Sequence, residues 1–441
     1  MNQAGKPSKP NIKQPSLRRN FSWVFIGQLI FTATNWLTTV LLAKLGGPAT
    51  VGQYSTAVAI VIPIMSMTQL MLRSVLTTDS KSDFRLGDYL MLRIISTIAA
   101  IAAIACLLGT GNFTPTIAMC IVWYAVTPTL DGIADIYQAY LQKHEQMTRN
   151  GVSQAVRGLL NILLLGVVYA LTRDLPTAIF ASGISSLLIL VGFDLPNSIR
   201  LAKALDAQGE LPDGLDLRSI VKPRWHPYVM KQLFILALPL GIAVGLTTLN
   251  MFLSRLFVVK FLAESDVGIF SGITNLMNLG SQGLLTISTT IMPRLASYRE
   301  SKDVGSFMGL IRKFGFISVG FGILAVVVAA AFGEKILAAC FRHEFALHND
   351  VFVLTMVAGL LFYISLPFGT ALTALRVFNS QLWSSGMVTV FAVASGFILV
   401  PMYGLKGAAY VTIIAMAVRC IVLTILFAQN RNIITQRTSA E

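Results

Sequence analysis

The sequence consists mainly of long apolar runs separated by short polar stretches, a pattern that few folds can accommodate. A hydrophobic run of about 20 residues forms a helix that can cross the roughly 30 Å hydrocarbon core of a bilayer. Inside lipid, only helices and closed barrels satisfy every backbone polar group, and long runs without alternating polarity form helices. The sequence therefore predicts an all-α integral membrane protein. About twelve transmembrane helices are predicted, at residues 21–43, 51–76, 88–109, 115–141, 150–171, 176–194, 232–259, 267–292, 310–332, 351–375, 383–402 and 405–428.

Composition and charge agree with this prediction and add an orientation. Of the 441 residues, 55% are hydrophobic and only 12% are charged, whereas a soluble protein has a charged fraction of about 25%. Of the 34 Lys and Arg residues, only six fall in loops on the side opposite the N-terminus. Because positive charge marks cytoplasmic loops, both termini are predicted to be cytoplasmic. The net charge of +14 thus reflects topology and attraction to membrane lipids, and no nucleic-acid partner is expected.

Two polar segments divide the apolar runs into domains. The basic tail at 1–20 precedes a run that is too long for a signal peptide and has no clear cleavage site, so we predict an uncleaved first span. A longer segment at 195–231 contains Pro, Gly and mixed charge, which predicts a linker with an amphipathic helix on the membrane surface. The predicted domains are a tail at 1–20, an N-terminal lobe at 21–194, the linker at 195–231, a C-terminal lobe at 232–428 and a second tail at 429–441.

A short polar turn occurs twice, once in each predicted lobe. The first copy, KLGGPATVGQYS at residues 44–55, aligns without a gap on the second copy, KFLAESDVGIFS at residues 260–271. Six spans precede the linker and six follow it, so the halves form a parallel repeat, which is typical of transporters. The identical positions of the two copies, which are 216 residues apart, are Lys44 and Lys260, Val51 and Val267, Gly52 and Gly268, and Ser55 and Ser271.

Polar residues at helical spacing mark one side of several predicted spans. The first, second, fourth, fifth, seventh and eighth spans carry such stripes, whereas the third and ninth are almost entirely apolar. Such stripes indicate either a polar cavity or hydrogen bonds between packed helices, and both interpretations stay open for any single residue. The candidates for hydrogen bonds to a polar ligand are Gln28, Asn35, Asn250, Asn275, Asn278 and Gln282.

Charged residues inside spans are a stronger signal. A charge at the bilayer centre costs at least about 2.5 kcal/mol, so such a residue normally faces a cavity or a partner. Arg157 is predicted about 12 Å deep, next to a span with Asp131 and Asp135, and either carboxylate is a possible partner for it. With only these two acids well within spans, arginines outnumber them, which favours an anionic ligand. Two further candidates, Arg255 and Arg419, lie within spans. Arg73 and Arg376 lie near span ends, where their side chains can also reach the lipid headgroups.

Several other functional motifs are absent or do not fit. The stretch HEFALH at 343–348 has its two histidines five residues apart, so they do not share a helix face as zinc ligands do. The four cysteines have no CxxC spacing and are expected to be inert. No Walker A motif occurs, and no outer loop is long enough for a catalytic domain. We therefore predict no enzyme activity, no metal and no cofactor.

Three short motifs resemble a known family. They are LGGPATVGQY after the first span, LALPLG at 236–241 and YGLKGAAYV at 403–411. Together with the six-plus-six pattern, they resemble the Wzx-type polysaccharide flippases (O-antigen and exopolysaccharide) of the multidrug/oligosaccharidyl-lipid/polysaccharide (MOP) exporter superfamily. The resemblance implies a V-shaped, MATE-like pair of six-helix lobes. It also implies translocation of undecaprenyl-diphosphate-linked oligosaccharides across the bacterial inner membrane by alternating access, for polysaccharide biosynthesis such as that of lipopolysaccharide.

Roles for the candidate residues follow from this resemblance. Arg157 and Arg255 first, and Arg73 and Arg376 next, are expected to hold the diphosphate or an acidic sugar, while the polar stripe residues bind sugar hydroxyls. Expected partners are the lipid-linked oligosaccharide, membrane lipids, and the polymerase and chain-length proteins of the same pathway. Asp131 or Asp135 either couples proton or sodium movement or serves as a static partner of an arginine.

Two relatives within the superfamily are alternatives. A MATE-type cation-coupled multidrug exporter shares the fold, but such exporters use acidic residues in or near the first span, and here the first span has none. The lipid II flippase has similar chemistry, but it has two additional C-terminal spans that are not predicted here.

Overall fold

The computed structural model describes residues 17–79, 84–111, 113–208, 222–377 and 379–434, and no strand occurs in those ranges. Residues 1–16 and 435–441 of the predicted tails, and the middle of the linker at 209–221, lie outside the described residues. The helices are α1 Leu17–Thr68, α2 Leu72–Thr78, α3 Leu86–Thr110, α4 Pro115–Lys143, α5 Met147–Thr172, α6 Leu175–Ile189, a π-helix Leu190–Asp194, α7 Leu195–Gln208, α8 Pro227–Phe261, α9 Glu264–Glu300, α10 Val304–Cys340, α11 His343–Ala346, α12 Asn349–Ala374, α13 Asn379–Asn430 and a 3-10 turn Arg431–Ile434.

Single glycines join two pairs of predicted spans. Gly47 (φ 82°, ψ −175°) interrupts α1 between the first two predicted spans. Gly404 (φ 58°, ψ −131°) interrupts α13 between the last two. The predicted loop between the first two spans is therefore much shorter than expected, because glycine tolerates a positive φ that other residues rarely adopt. Arg342 Nη2 donates to the carbonyl oxygen of Lys44 at 2.8 Å, which holds the helix end that precedes Gly47.

The described residues include nine helical stretches that are long and apolar enough to cross a membrane. Two of them, 22–78 and 380–430, each contain two of the predicted spans that a glycine joins. α9 is long enough but is not among the nine, and its polar stripe makes it less apolar than the others. The nine stretches together with α9 account for all twelve predicted spans, which confirms the predicted fold class.

The chain forms two compact units, which differ from a simple division into halves. The first unit contains residues 1–38 and 64–244, and the second contains 39–63 and 245–441. The segment 39–63 carries the first copy of the repeated turn, so both copies belong to the second unit. The predicted lobes at 21–194 and 232–428 stay a prediction.

The helix that was predicted within the linker is continuous with the sixth span. α6 passes through the π-helix directly into α7, without an intervening loop. The apolar face of α7 carries Leu201, Ala202 and Leu205, which are buried in the core of the first unit together with Leu190 and Tyr137. The prediction that this helix lies on the membrane surface is therefore wrong for its apolar face, which packs against the protein.

Candidate functional site

The two copies of the repeated turn pack against each other in the second unit. A Cβ atom at Gly52 would collide with the carbonyl oxygen of Glu264, and one at Gly268 would collide with the carbonyl oxygen of Pro48. Pro48 and Glu264 occupy the same position in the two copies, as do Gly52 and Gly268, so the contact is reciprocal. Gln53 Nε2 also donates to Glu264 Oε2 at 2.9 Å. The repeat is thus an architectural contact in which glycine allows two backbones to approach closely.

Arg157 lies between two carboxylates in the first unit. Its Nη1 donates to Asp131 Oδ1 at 2.9 Å and its Nη2 to Asp194 Oδ2 at 2.7 Å. The side chains of Arg157 and Asp194 are 7% and 0% exposed, so these two residues form a buried ion pair. The side chain of Asp131 is 27% exposed and lies at the surface of the unit. The sequence allowed either Asp131 or Asp135 as the partner of Arg157. The structure confirms Asp131 and contradicts Asp135.

Asp135 instead lies between two other arginines. Its Oδ1 accepts from Arg73 Nη1 at 2.8 Å and its Oδ2 from Arg93 Nη2 at 3.5 Å. Arg73 Nε also donates to Gln142 Oε1 at 3.1 Å. Arg73 is therefore held by partners on α4, which corrects the alternative that it simply extends to the lipid headgroups.

Gln138 connects these two groups of charges. Its Oε1 accepts from Arg73 Nη1 at 3.4 Å. Its Nε2 donates to Asp194 Oδ2 at 3.3 Å and to Ser153 Oγ at 3.2 Å. One continuous set of polar contacts therefore joins five helical segments of the first unit. We call it the charge network, and it consists of Arg73, Arg93, Asp131, Asp135, Gln138, Arg157 and Asp194.

Local helix geometry explains how the chain builds this network. Asp131, Asp135 and Gln138 are spaced at i, i+4 and i+7 on α4, so they share one face. Asp194 ends the π-helix Leu190–Asp194, and single π-turns often occur at functional sites in helices. Sequence reasoning missed Asp194 because it lies at the last position of an apolar run, where a carboxylate is usually solvated.

The charge balance within the spans differs from the sequence-based expectation. Asp194 is fully buried, and Asp88 is 1% exposed at the start of α3, where its Oδ2 accepts from the Arg85 backbone N–H at 3.0 Å. Asp88 is the first residue of the third predicted span and Asp194 is the last of the sixth, so these two buried acids add to the two that the sequence placed well within spans. Within the charge network, three arginines face three aspartates, so the first unit is not a uniformly cationic site.

A second polar cluster forms around Arg255 in the second unit. Arg255 Nη2 donates to Thr274 Oγ1 at 2.9 Å and to Asn275 Oδ1 at 3.4 Å. Its guanidinium carbon lies 5.3 Å from the centre of the Phe252 ring. Asn275 Nδ2 in turn donates to Thr39 Oγ1 at 3.0 Å. Two predicted site residues, Arg255 and Asn275, are therefore brought into contact.

Asn250 contacts a neighbouring helix at both ends of its amide. Its Nδ2 donates to the carbonyl oxygen of Ser385 at 2.8 Å, and its Oδ1 accepts from Thr389 Oγ1 at 2.8 Å. This pattern matches the alternative interpretation of the polar stripes, in which the residue joins packed helices.

The remaining predicted site residues lie outside the charge network and the cluster around Arg255. Gln28 and Asn35 are exposed on α1, and Asn278 and Gln282 are half-buried on α9. Arg376 is exposed and has a positive φ of 60° just after α12, so it lies at a helix end and not within a span.

Comparisons with known proteins agree with the fold. No protein-family model matches the chain. The chain is 26% identical over 407 residues to the capsular polysaccharide biosynthesis protein CapF of Staphylococcus aureus, covering 91% of this chain and 97% of that protein.

Two solved structures show the architecture. One is the lipid II flippase MurJ in an inward closed conformation, with a TM-score of 0.70, 11% identity, and coverage of 91% of this chain and 87% of that one. The other is a MATE family multidrug resistance transporter in an inward-facing conformation, with a TM-score of 0.68, 14% identity, and coverage of 96% and 100%. The chain therefore shares the fold of these two membrane proteins, which is the MATE-like fold that the resemblance implied.

Proposed function

We propose that this protein is a flippase that moves undecaprenyl-diphosphate-linked oligosaccharide repeat units across the bacterial inner membrane by alternating access. The observation that carries the proposal is the similarity to CapF over nearly the whole of both chains, since CapF is a capsular polysaccharide biosynthesis protein. The fold shared with the lipid II flippase MurJ supports the same class of cargo. In this proposal both termini are cytoplasmic, and the polymerase and chain-length proteins of the same pathway are partners.

In this proposal the cluster around Arg255, in which Arg255 and Thr274 are 6% and 8% exposed, binds the diphosphate-linked glycan when the transport cycle opens it. Guanidinium groups bind phosphate oxygens in a bidentate manner. The hydroxyl of Thr274 and the amide of Asn275 contact Arg255 without adding charge, and both groups can exchange hydrogen bonds with sugar hydroxyls. Asn278 and Gln282, which belong to the same unit as Arg255, are accessible enough to add further hydrogen bonds, and Gln28 and Asn35 are exposed on α1 in the first unit.

The experiment uses the organism that encodes the chain. Deletion of the gene should abolish surface polysaccharide and cause lipid-linked repeat units to accumulate, and a plasmid copy should restore export. Arg255→Gln should restore export poorly at normal protein level. Arg312→Gln serves as the control, because it removes an exposed arginine of α10 outside the site. Unchanged polysaccharide after deletion would contradict the proposal.

The second candidate is a cation-coupled multidrug exporter, which the MATE fold favours. In that case Asp131 or Asp135 would bind the coupling proton or sodium ion, and the partial exposure of both side chains, 27% each, allows access. The same deletion strain distinguishes the two functions. Higher sensitivity to cationic drugs together with normal polysaccharide supports the exporter.

A further inference from the structure

The charge network is neutral overall, but its charges are unevenly distributed. At one end, the single arginine Arg157 is shared by Asp131 and Asp194. At the other end, the single carboxylate of Asp135 is shared by Arg73 and Arg93. The first group has one negative charge in excess and the second has one positive charge in excess.

This distribution decides where an anionic group can bind. Both Nη atoms of Arg157 already donate to carboxylates, so a phosphate there would meet two like charges at close range in a medium of low dielectric constant. Beside Asp135, the other contacts of Arg73 are the neutral amide oxygens of Gln138 and Gln142. These weaker contacts can be exchanged for phosphate oxygens.

Accessibility distinguishes the two arginines beside Asp135. The Arg73 side chain is 28% exposed, so a ligand can contact it, whereas that of Arg93 is 1% exposed. Arg93 Nη1 donates to the carbonyl oxygen of Gln69 at 2.8 Å, which fixes the guanidinium group next to Asp135. Arg93 therefore acts through Asp135 and through its charge, without direct contact.

The backbone next to Arg73 is strained, which is common at functional sites. Leu70 and Met71 both have a positive φ, of 55° and 49°, where the chain breaks between α1 and α2. Two consecutive non-glycine residues in this region cost free energy that the surrounding structure must offset. The break lets α2 start anew immediately before Arg73.

From these observations we infer that Arg73 contacts the diphosphate of the lipid-linked cargo in the first unit, and that Arg93 is a buried positioning residue that supplies the excess positive charge. The inference rests on the proposed function and revises the order of its arginines. Arg157, which the sequence placed first, is a structural partner of two aspartates.

The test measures binding of undecaprenyl diphosphate to the purified full-length protein in nanodiscs, by intrinsic fluorescence. Arg73→Gln should weaken binding about tenfold, and Arg73→Lys should restore part of it. Arg93→Gln should weaken binding to a similar extent. Arg312→Gln is the control and should bind as the wild type does.

The variant Asp135→Asn provides the decisive measurement. If Asp135 only holds the arginines in place, its loss should weaken binding of the lipid, whereas an electrostatic role of the excess positive charge predicts tighter binding. Removing this carboxylate raises the local excess from one positive charge to two, so binding should become several-fold tighter. The double variant Arg93→Gln/Asp135→Asn returns the excess to one and should bind nearly as the wild type does. It also tests Arg93 if the single variant fails to fold.

Two results would overturn this inference without contradicting the proposed function, provided that the wild type binds the lipid. They are unchanged binding by Arg73→Gln, or weaker binding by folded Asp135→Asn. Absence of binding by the wild type would overturn this inference and the proposed function together.

Discussion

Gly52 and Gly268 lie at matching positions of a repeated turn, and each packs against the other copy of that turn. Residues 216 positions apart therefore form a self-complementary contact like that between two identical subunits. Any side chain at either glycine must displace backbone atoms of the other copy.

Gly52→Ala and Gly268→Ala should therefore each destabilise the protein, by about 1–3 kcal/mol, because the added methyl overpacks the contact. Thermal unfolding of the purified protein in detergent measures the effect. Gly315→Ala is the matched control, since a Cβ there meets nothing within 4 Å. The control should be neutral or slightly stabilising, because alanine favours a helix. Equal effects at all three positions would contradict the prediction.

The contact between Gln53 and Glu264 tests whether the two turns separate during transport. With the four native cysteines replaced, we expect Gln53→Cys/Glu264→Cys to export normally until a short bismaleimide links the two thiols. Linking should then stop export, because the proposed alternating access moves helix ends apart and the link would hold the two turns together. Each single cysteine, treated in the same way, is the control. Normal export by the linked double variant would show that the turns stay together throughout the cycle.

Arg157 should be strongly coupled to its aspartates. Arg157→Gln leaves Asp131 and Asp194 close together without their cation, so we expect a loss of about 3–5 kcal/mol in the free energy of unfolding. Arg157→Gln/Asp194→Asn removes one charge of each sign and should recover much of that loss. A double-mutant cycle from chemical unfolding gives the coupling energy. Additive effects of the two substitutions would refute the coupling.

Asp303 should make α10 sensitive to pH. Its Oδ1 accepts from the Ser306 backbone N–H at 2.9 Å, and hydrogen bonds from the hydroxyl and the backbone of Ser306 lower the pKa of Asp303. A carboxyl group with a lowered pKa stabilises the fold above its unfolded pKa of about 4, and this contribution is lost as the pH falls through the folded pKa.

Asp303→Ala should therefore lower Tm slightly at pH 7, and the difference from the wild type should shrink at acidic pH. Asp303→Asn retains a capping side chain and serves as the control. A difference in Tm that does not change with pH would argue against a role of the ionised carboxylate.

The fold was largely predictable, because apolar runs of about 20 residues permit little other than membrane-spanning helices. The connections between the helices were less predictable. A single glycine such as Gly47 can join two helices only in a backbone conformation that no hydrophobic pattern reveals. The π-helix that ends at Asp194 was missed for the same reason, since an inserted residue leaves the apolar pattern intact.

The candidate site was predictable where neighbouring helices impose contacts. Asp131 and Arg157 lie on consecutive antiparallel spans at similar depth, so their pairing could be proposed from spacing alone. The partners of Asp135 could not, because Arg73 and Arg93 belong to earlier helices whose rotation depends on tertiary packing. Charge balance is a collective property of such contacts and becomes evident only when all of them are known.

The π-helix at Leu190–Asp194 has a consequence for how this protein can change in evolution. One extra residue in a helical turn rotates everything after it by about 100°. That rotation sets the direction of the Asp194 carboxylate and also the face on which α7 presents Leu201 and Leu205 to the core. Deletion of a single residue here would disturb both at once. The register of this segment is thus under two independent constraints, and insertions or deletions should be tolerated far less here than in the loops.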